Sequence, residues 1–143
     1  MKDSLKQGLS YEFTYTVPEN KTVPHLYPEA PQFQEMPRVL ATGFLVGLIE
    51  WTCIQAIHSH MDWPAEQTVG TLINIQHLAA TPPGCDVTVT VRLVALEGRK
   101  LTFAVEASDN VDRICQGTHE RFVINAEKFA AKIAAKLEGA GKH

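Results

Sequence analysis

The sequence predicts an α+β protein in which a curled antiparallel β-sheet is wrapped around one long central helix. Three observations support this fold class. Residues 40–57 are apolar on almost every side, which is typical of a helix that is buried all round. One segment with strand-like alternation precedes this helix, and four more follow it, separated by turn residues. Because a flat two-layer sheet would leave one side of the helix uncovered, we expect the sheet to curl around it.

Size and composition limit the classes of function. The chain has 143 residues, enough for one hydrophobic core, and we predict a single domain spanning residues 1–143. The formal net charge of -3 gives no electrostatic footprint for nucleic acid or for an anionic membrane. The N-terminus lacks the apolar stretch of a signal peptide. We interpret Cys53, Cys85 and Cys115 as reduced thiols, which favours a cytoplasmic protein.

The N-terminal third combines a strand with a proline-rich segment. Residues 11–17 alternate aromatic and polar side chains, which predicts a half-buried strand. Residues 17–37 contain too many prolines for a long helix. The same segment carries Phe33, Met36 and other apolar residues, more than a plain linker would need. It is either a cover over a cleft or an ordinary packed loop.

The long helix carries two glycines and a carboxylate. Gly43 and Gly47 share one face, and since glycine costs a helix interior about 1 kcal/mol, we expect another backbone to approach closely there. Glu50 lies in the apolar helix, on the same stripe as Thr42, which is a candidate N-cap. A buried carboxylate is costly unless it is paired. Glu50 is therefore either a bonded structural carboxylate or a desolvated general base or nucleophile.

The segments after the helix alternate as strands and end in a second helix. Residues 69–77 are apolar on both faces, so we expect a central strand; it ends at His77, before the proline turn of residues 80–84. The next strands start near Val87, Leu101 and Ile114. The pattern of apolar and lysine side chains in residues 126–137 predicts an amphipathic helix with a solvated lysine face. Residues 139–143 are expected to fray.

This order of elements is that of a hot-dog fold, in which an antiparallel sheet encloses one helix. A single sheet of this kind leaves an edge strand exposed. Pairing of two edges across a two-fold axis would cover them both, so we expect a homodimer.

The candidate catalytic residues are Thr42, Glu50 and His77, with His119 and Arg121 behind them. His119 and Arg121 share one face of the last strand. The strand that carries His77 is expected to run beside the helix, and hydroxyl, carboxylate and imidazole are the components of an acyl-transfer site. The alternative for His77 is a hydrogen-bonded core histidine. Glu50 and His77 supply only two potential metal ligands, fewer than a catalytic zinc ion needs, so we predict no metal and no cofactor.

Four short motifs occur in order along the chain. They are residues 21–29 (KTVPHLYPE), 41–51 (ATGFLVGLIEW), 77–84 (HLAATPPG) and 117–121 (GTHER). With them the sequence resembles the fluoroacetyl-CoA thioesterase family from residue 8 to residue 132. The resemblance implies a hot-dog fold, a homodimer, and hydrolysis of a short-chain acyl-CoA thioester.

The resemblance also implies roles for individual residues. Thr42, Glu50 and His77 correspond to the catalytic trio of the family. Gly70 corresponds to a contact with the substrate carbonyl, and Arg121 lies near the site. The implied lid over the substrate contains Phe33 and Met36.

The lid departs from the family pattern, and several functional alternatives stay open. The family's fluorinated-substrate enzyme has phenylalanine where this chain has Met36 and Leu40, which favours a broader or different acyl group. Glu50 would either attack the thioester carbonyl or activate water, while His77 orients the attacking group or protonates the leaving thiolate. Thr42 would hydrogen-bond Glu50 or the substrate carbonyl. A hot-dog acyl-CoA hydratase or dehydratase and a non-catalytic acyl-CoA binding protein are the alternative functions.

Overall fold

The computed structural model describes residues 1–141, so Lys142 and His143 of the predicted domain and of its fraying end lie outside the described residues. Strands and helices follow in the predicted order, with short 3-10 turns between them. The strands are β1 (Ser10–Thr16), β2 (Glu66–His77), β3 (Asp86–Glu97), β4 (Lys100–Ser108) and β5 (Arg113–Asn125). The helices are α1 (Pro31–Gln34), α2 (Thr42–Ile57) and α3 (Ala126–Gly139).

The five strands form one antiparallel sheet in the order β1-β3-β4-β5-β2, and α2 packs against it. The predicted α+β arrangement, a curled sheet with a long helix on its concave side, is confirmed. Side chains of α2 such as Leu45, Ile49 and Ile57 are fully buried against inward residues of β3 and β4, including Leu93 and Phe103. Packing in this apolar layer fixes the position of α2 relative to the strands that carry the candidate site residues.

The prediction that residues 69–77 form a central strand is wrong within the protomer. β2 pairs only with β5 and lies at the edge of the sheet. The apolar residues that suggested a central position are in part solvent-exposed, with Leu72 44% and Ile73 39% exposed. Residues 70–74 are all solvent-exposed, so the free edge of this strand presents unpaired backbone groups together with apolar side chains.

The two glycines of α2 serve a different purpose from the one predicted. A Cβ at Gly43 would lie 2.9 Å from Cδ2 of Leu26, a side chain of the proline-rich segment rather than a backbone. A Cβ at Gly47 would meet no heavy atom of the described residues within 4 Å, apart from its immediate neighbours. Gly43 therefore leaves room for Leu26, while Gly47 borders open space.

The inward face of β5 carries polar as well as apolar side chains. His119 and Arg121 are 2% and 3% exposed, and both point to the same side as the buried Val123. Alternation along the strand predicted that His119 and Arg121 share a face, and the structure identifies that face as the interior.

α3 closes the chain at the surface. The side chain of Asn125 caps its start by accepting a hydrogen bond from the backbone N–H of Lys128, and no residue of this helix is buried. Within residues 1–141, no helix is both long enough and apolar enough to cross a membrane.

Candidate active site

Thr42 and His77 form a hydrogen-bonded unit where α2 begins and β2 ends. Thr42 is the first residue of α2, following the N-cap Ala41, and its Oγ1 lies 2.8 Å from Nδ1 of His77. The predicted N-cap role of Thr42 is therefore wrong, and its hydroxyl is directed at the imidazole instead. Burial lowers the pKa of His77, so its imidazole is neutral at pH 7. The other ring nitrogen, Nε2, is buried and has no partner among the described residues.

Hydrogen bonds of the backbone and of one threonine side chain fix the two segments that meet at this unit. The N–H of Leu40, just before α2, donates to the carbonyl of Thr81 at 2.8 Å. The hydroxyl of Thr81 donates to Asp109 Oδ2 at 2.9 Å, and the N–H of Leu78 donates to the carbonyl of Ile114 at 2.7 Å. The turn after His77 is thus held between the start of α2 and β5.

Glu50 faces β2 and β5 and is paired with a buried arginine. Its Oε1 accepts a hydrogen bond from Nη1 of Arg121 at 3.0 Å. The Arg121 side chain is 4% exposed, whereas that of Glu50 is 39% exposed. The expectation of a desolvated carboxylate is therefore wrong for the protomer, because one side of Glu50 faces open space and a guanidinium supplies its counter-charge.

The guanidinium of Arg121 is itself held by β2 and β5. Its Nε donates to Thr68 Oγ1 and its Nη2 to the carbonyl oxygen of Thr68, both at 2.9 Å. Its Nη1 lies 3.1 Å from Nε2 of His119. These contacts satisfy a buried cation that would otherwise be costly, and they direct Nη1 at Glu50.

A cavity of about 210 Å³ opens beside Glu50. Its walls come from α2 and β5 and from the exposed stretch of the edge strand β2. They are formed by Val46, Glu50, Gly70, Thr71, Leu72, Ile73 and His119. The cavity therefore lies at the free edge of the sheet, where a further chain or a substrate has access to the carboxylate.

The predicted residues fall into two groups that do not touch each other within the protomer. Thr42 and His77 make one group, while Glu50, Gly70 and Arg121 make the other. Thr42 and Glu50 are eight residues apart on α2, which is about 12 Å along the helix axis. Thr42 therefore does not hydrogen-bond Glu50 within the protomer, and its hydroxyl pairs with His77 instead.

The predicted lid residues lie on the proline-rich segment. Phe33 belongs to α1, and its ring centroid is 6.1 Å from that of Tyr27. Met36 follows α1 and is 46% exposed. Neither residue lines the cavity beside Glu50, so their contact with substrate stays a prediction.

The cysteine closest to Glu50 is not a candidate nucleophile. Cys53 is fully buried on α2, one turn after Glu50. Burial raises the pKa of the Cys53 thiol to about 12, so the thiol is neutral at pH 7 and unreactive. Within residues 1–141, no group of three His, Cys, Asp or Glu side chains is placed to hold a metal ion.

One polar residue of this site, Thr68, was not among the predicted candidates, whereas His119 was named with Arg121 behind the catalytic trio. The alternation of β5 identified His119, because it places this residue on one face with Arg121. Thr68 carries no comparable signal, because a threonine in a strand is ordinary.

Gly70 is a position where a side chain would displace the carboxylate. A Cβ there would lie 2.6 Å from Glu50 Oε1 and 3.3 Å from Arg121 Nη1. We expect Gly70→Ala to reduce turnover of an acyl-CoA substrate by about tenfold or more, since an atom this close shifts the carboxylate from its position. Steady-state kinetics with a thiol reagent measures the effect.

The control for this substitution is Gly47→Ala, which adds the same methyl group to open space on α2. It should keep wild-type turnover and raise the free energy of unfolding by about 1 kcal/mol through helix propensity. Equal turnover in the two variants would contradict the close packing of Gly70 on Glu50.

Comparisons with known proteins agree with this architecture. A family model described as fluoroacetyl-CoA-specific thioesterase matches residues 17–127. The fluoroacetyl-CoA thioesterase of Streptantibioticus cattleyicolor is 52% identical over 136 residues, covering 95% of this chain and 97% of that protein.

Two solved structures extend the comparison. A variant of the fluoroacetyl-CoA-specific thioesterase in complex with fluoroacetate and CoA matches with a TM-score of 0.85 at 51% identity, covering 87% of this chain and 99% of that one. A hot-dog-like protein from Thermanaerovibrio acidaminovorans, 18% identical, shares the fold with a TM-score of 0.77, covering 92% of this chain and 93% of that one. The chain belongs to the fluoroacetyl-CoA-specific thioesterase family.

Proposed function

We propose that this protein hydrolyses a short-chain acyl-CoA thioester to the free acid and CoA. The observation that carries the proposal is the carboxylate of Glu50, oriented by Arg121 and bordering an open cavity at the sheet edge. Family membership supports the reaction class, and the related thioesterase has been crystallised with fluoroacetate and CoA. We expect the protein to act in the cytoplasm, without metal or cofactor.

Glu50 acts on the carbonyl carbon of the thioester in one of two ways. As a general base, it takes a proton from water; the hydroxide adds to the carbonyl, the C–S bond breaks, and the CoA thiolate is protonated. As a nucleophile, its oxygen forms an acyl anhydride with release of CoA, and water then cleaves the anhydride. A slow substrate that leaves an acyl group on Glu50 would support the second route.

His77 and Thr42 supply the second half of the chemistry. In its neutral form, the imidazole of His77 orients the attacking group. Alternatively, the ring first takes up a proton and then donates it to the leaving thiolate. Its free Nε2 is the atom available for this task, because Nδ1 is engaged with Thr42. Thr42 fixes the ring by this hydrogen bond, and the N-terminus of α2 presents backbone N–H groups that can polarise a carbonyl.

A homodimer would bring the two groups together. Strand β2 is exposed on its free side, and Leu72 and Ile73 border both this edge and the cavity beside Glu50. Antiparallel pairing of two β2 strands around a two-fold axis near Ile73 would place His77 of the partner subunit close to Gly70. Since Gly70 adjoins Glu50, each site would then combine Glu50 of one subunit with Thr42 and His77 of the partner subunit.

The test of the proposed function is thiol release from acetyl-, fluoroacetyl-, propionyl- and a longer acyl-CoA. We expect rapid release from at least one short acyl-CoA, and the ratio of fluoroacetyl to acetyl turnover measures how Met36 and Leu40 affect selectivity. Crotonyl-CoA is the control for the alternatives. Loss of the enoyl absorbance without thiol release would indicate a hydratase, and binding without turnover would indicate an acyl-CoA binding protein.

A further inference from the structure

His119 is a buried titratable residue that the proposed reaction does not use. It lies on β5, directly opposite Ile73 of β2 on one side and Phe103 of β4 on the other. Both ring nitrogens are engaged, with Nδ1 2.7 Å from the carbonyl oxygen of Leu72 and Nε2 3.1 Å from Nη1 of Arg121. A histidine with two fixed partners on different elements is held in one orientation.

The partners of His119 determine where its proton lies. A guanidinium has donors only and stays charged, so Arg121 donates and Nε2 of His119 accepts. The single ring proton is therefore on Nδ1 and is donated to the Leu72 carbonyl. Burial lowers the pKa of His119 against the opposing effect of the Leu72 hydrogen bond, and the charge of Arg121 lowers it further. His119 is thus neutral and in the Nδ1–H tautomer at pH 7.

The acceptor nitrogen of His119 takes one of the two hydrogens on Nη1 of Arg121. Thr68 accepts from Nε and Nη2, which fixes the plane of the group, and Nη1 has two hydrogens left. One of them is directed at His119 Nε2 and the other at Glu50 Oε1. The Leu72 carbonyl that anchors His119 lies where the register of β2 shifts, between Gly70 and Leu72.

We propose that His119 is a positioning residue for Glu50 and acts through Arg121. Its neutral Nε2 holds one hydrogen of Nη1, so the other stays directed at Oε1 and fixes the carboxylate. Oε2 of Glu50 is then presented to water or to the thioester in a constant orientation. This inference rests on the proposed thioesterase function of Glu50.

The charges around His119 explain why a neutral ring is required. Arg121 is adjacent on its own strand, Glu50 faces it from α2, and Glu120 lies next to it in the chain. Cys53 of α2 faces the Arg121–Glu50 ion pair as a neutral thiol. Protonation of His119 would remove the acceptor and place a second positive charge 3.1 Å from the guanidinium nitrogen.

Two substitutions separate the functions of the two ring nitrogens. In His119→Gln the amide reaches the position of Nε2 and can still accept from Arg121, whereas in His119→Asn it reaches only the position of Nδ1 and can donate to Leu72. We expect His119→Asn to lower kcat by about 10- to 100-fold with KM within about threefold, and His119→Gln to stay within about fivefold of wild-type kcat. The assay is thiol release from the best substrate, with thermal unfolding of each variant.

If His119 has only a structural role, kcat should fall equally in the two variants, in proportion to their folded fractions. That result would overturn the proposal. Wild-type kcat in His119→Asn would do the same. The tautomer of His119 in the wild-type protein is measured without substrate, by long-range ¹H–¹⁵N correlation of the ring. An Nδ1–H tautomer supports the proposal even if neither variant folds, and an Nε2–H tautomer overturns it. Absence of thiol release from the wild-type protein would instead overturn the proposed function, a separate result.

Discussion

Replacing Glu50 with glutamine is expected to lower kcat for thioester hydrolysis by about 100-fold or more, the contribution typical of a general base. The amide is neither a base nor a nucleophile, so both routes proposed for Glu50 lose the reacting group. The amide oxygen can still accept the hydrogen bond that Arg121 donates to Oε1 at 3.0 Å. The fold and the binding of acyl-CoA should therefore be retained, with little change in KM.

The matched control is Glu106→Gln, which removes a carboxylate of the same size from a surface ion pair with Arg113. An exposed pair of this kind contributes about 0–1 kcal/mol, so this variant should keep wild-type kinetics and stability. Glu50→Asp adds a second comparison, because it keeps the charge but withdraws the carboxylate by one methylene group. Wild-type turnover in Glu50→Gln would contradict a catalytic role for Glu50 and leave it only the structural role of pairing with Arg121.

Most of the fold could be predicted because the elements have a clear period. The apolar run of α2 and the alternation in β3 and β4 follow from the burial of one side of each element. The position of β2 could not be predicted, because Leu72 and Ile73 make both faces of the strand apolar. Alternation of apolar side chains predicts that a face of the strand is buried, but it does not tell whether the same chain or a partner chain buries it. In the protomer, Leu72 and Ile73 are exposed. A partner subunit on this edge would account for the pattern.

The candidate site could be predicted only in part. The resemblance implied that Thr42, Glu50 and His77 act together, and the structure places Thr42 beside His77 but leaves Glu50 apart. The ion pair between Glu50 and Arg121 joins residues 71 positions apart in the sequence, and no local sequence pattern predicts such a contact. The proton on His119 depends on Arg121 and Leu72, so its state follows only from the three-dimensional arrangement.

Mixed dimers test whether the two halves of the site come from different subunits. A mixture of Glu50→Gln and His77→Ala subunits, each nearly inactive alone, is expected to reach about a quarter of the wild-type rate after random exchange. Half of the dimers are then mixed, and each mixed dimer has one site with an intact Glu50 and an intact His77. Dimers purified through two different affinity tags should reach about half of the wild-type rate per dimer, since every dimer is mixed.

The control mixture combines His77→Ala with Thr42→Ala, two changes in the same half of the site. Because Thr42 and His77 are hydrogen-bonded to each other at 2.8 Å within one chain, no arrangement of these subunits restores an intact unit. This mixture should show no gain over its parents. If the Glu50→Gln and His77→Ala subunits form mixed dimers without gaining activity, Glu50 and His77 act within one chain, and a movement of α2 against β2 would have to close the distance between them.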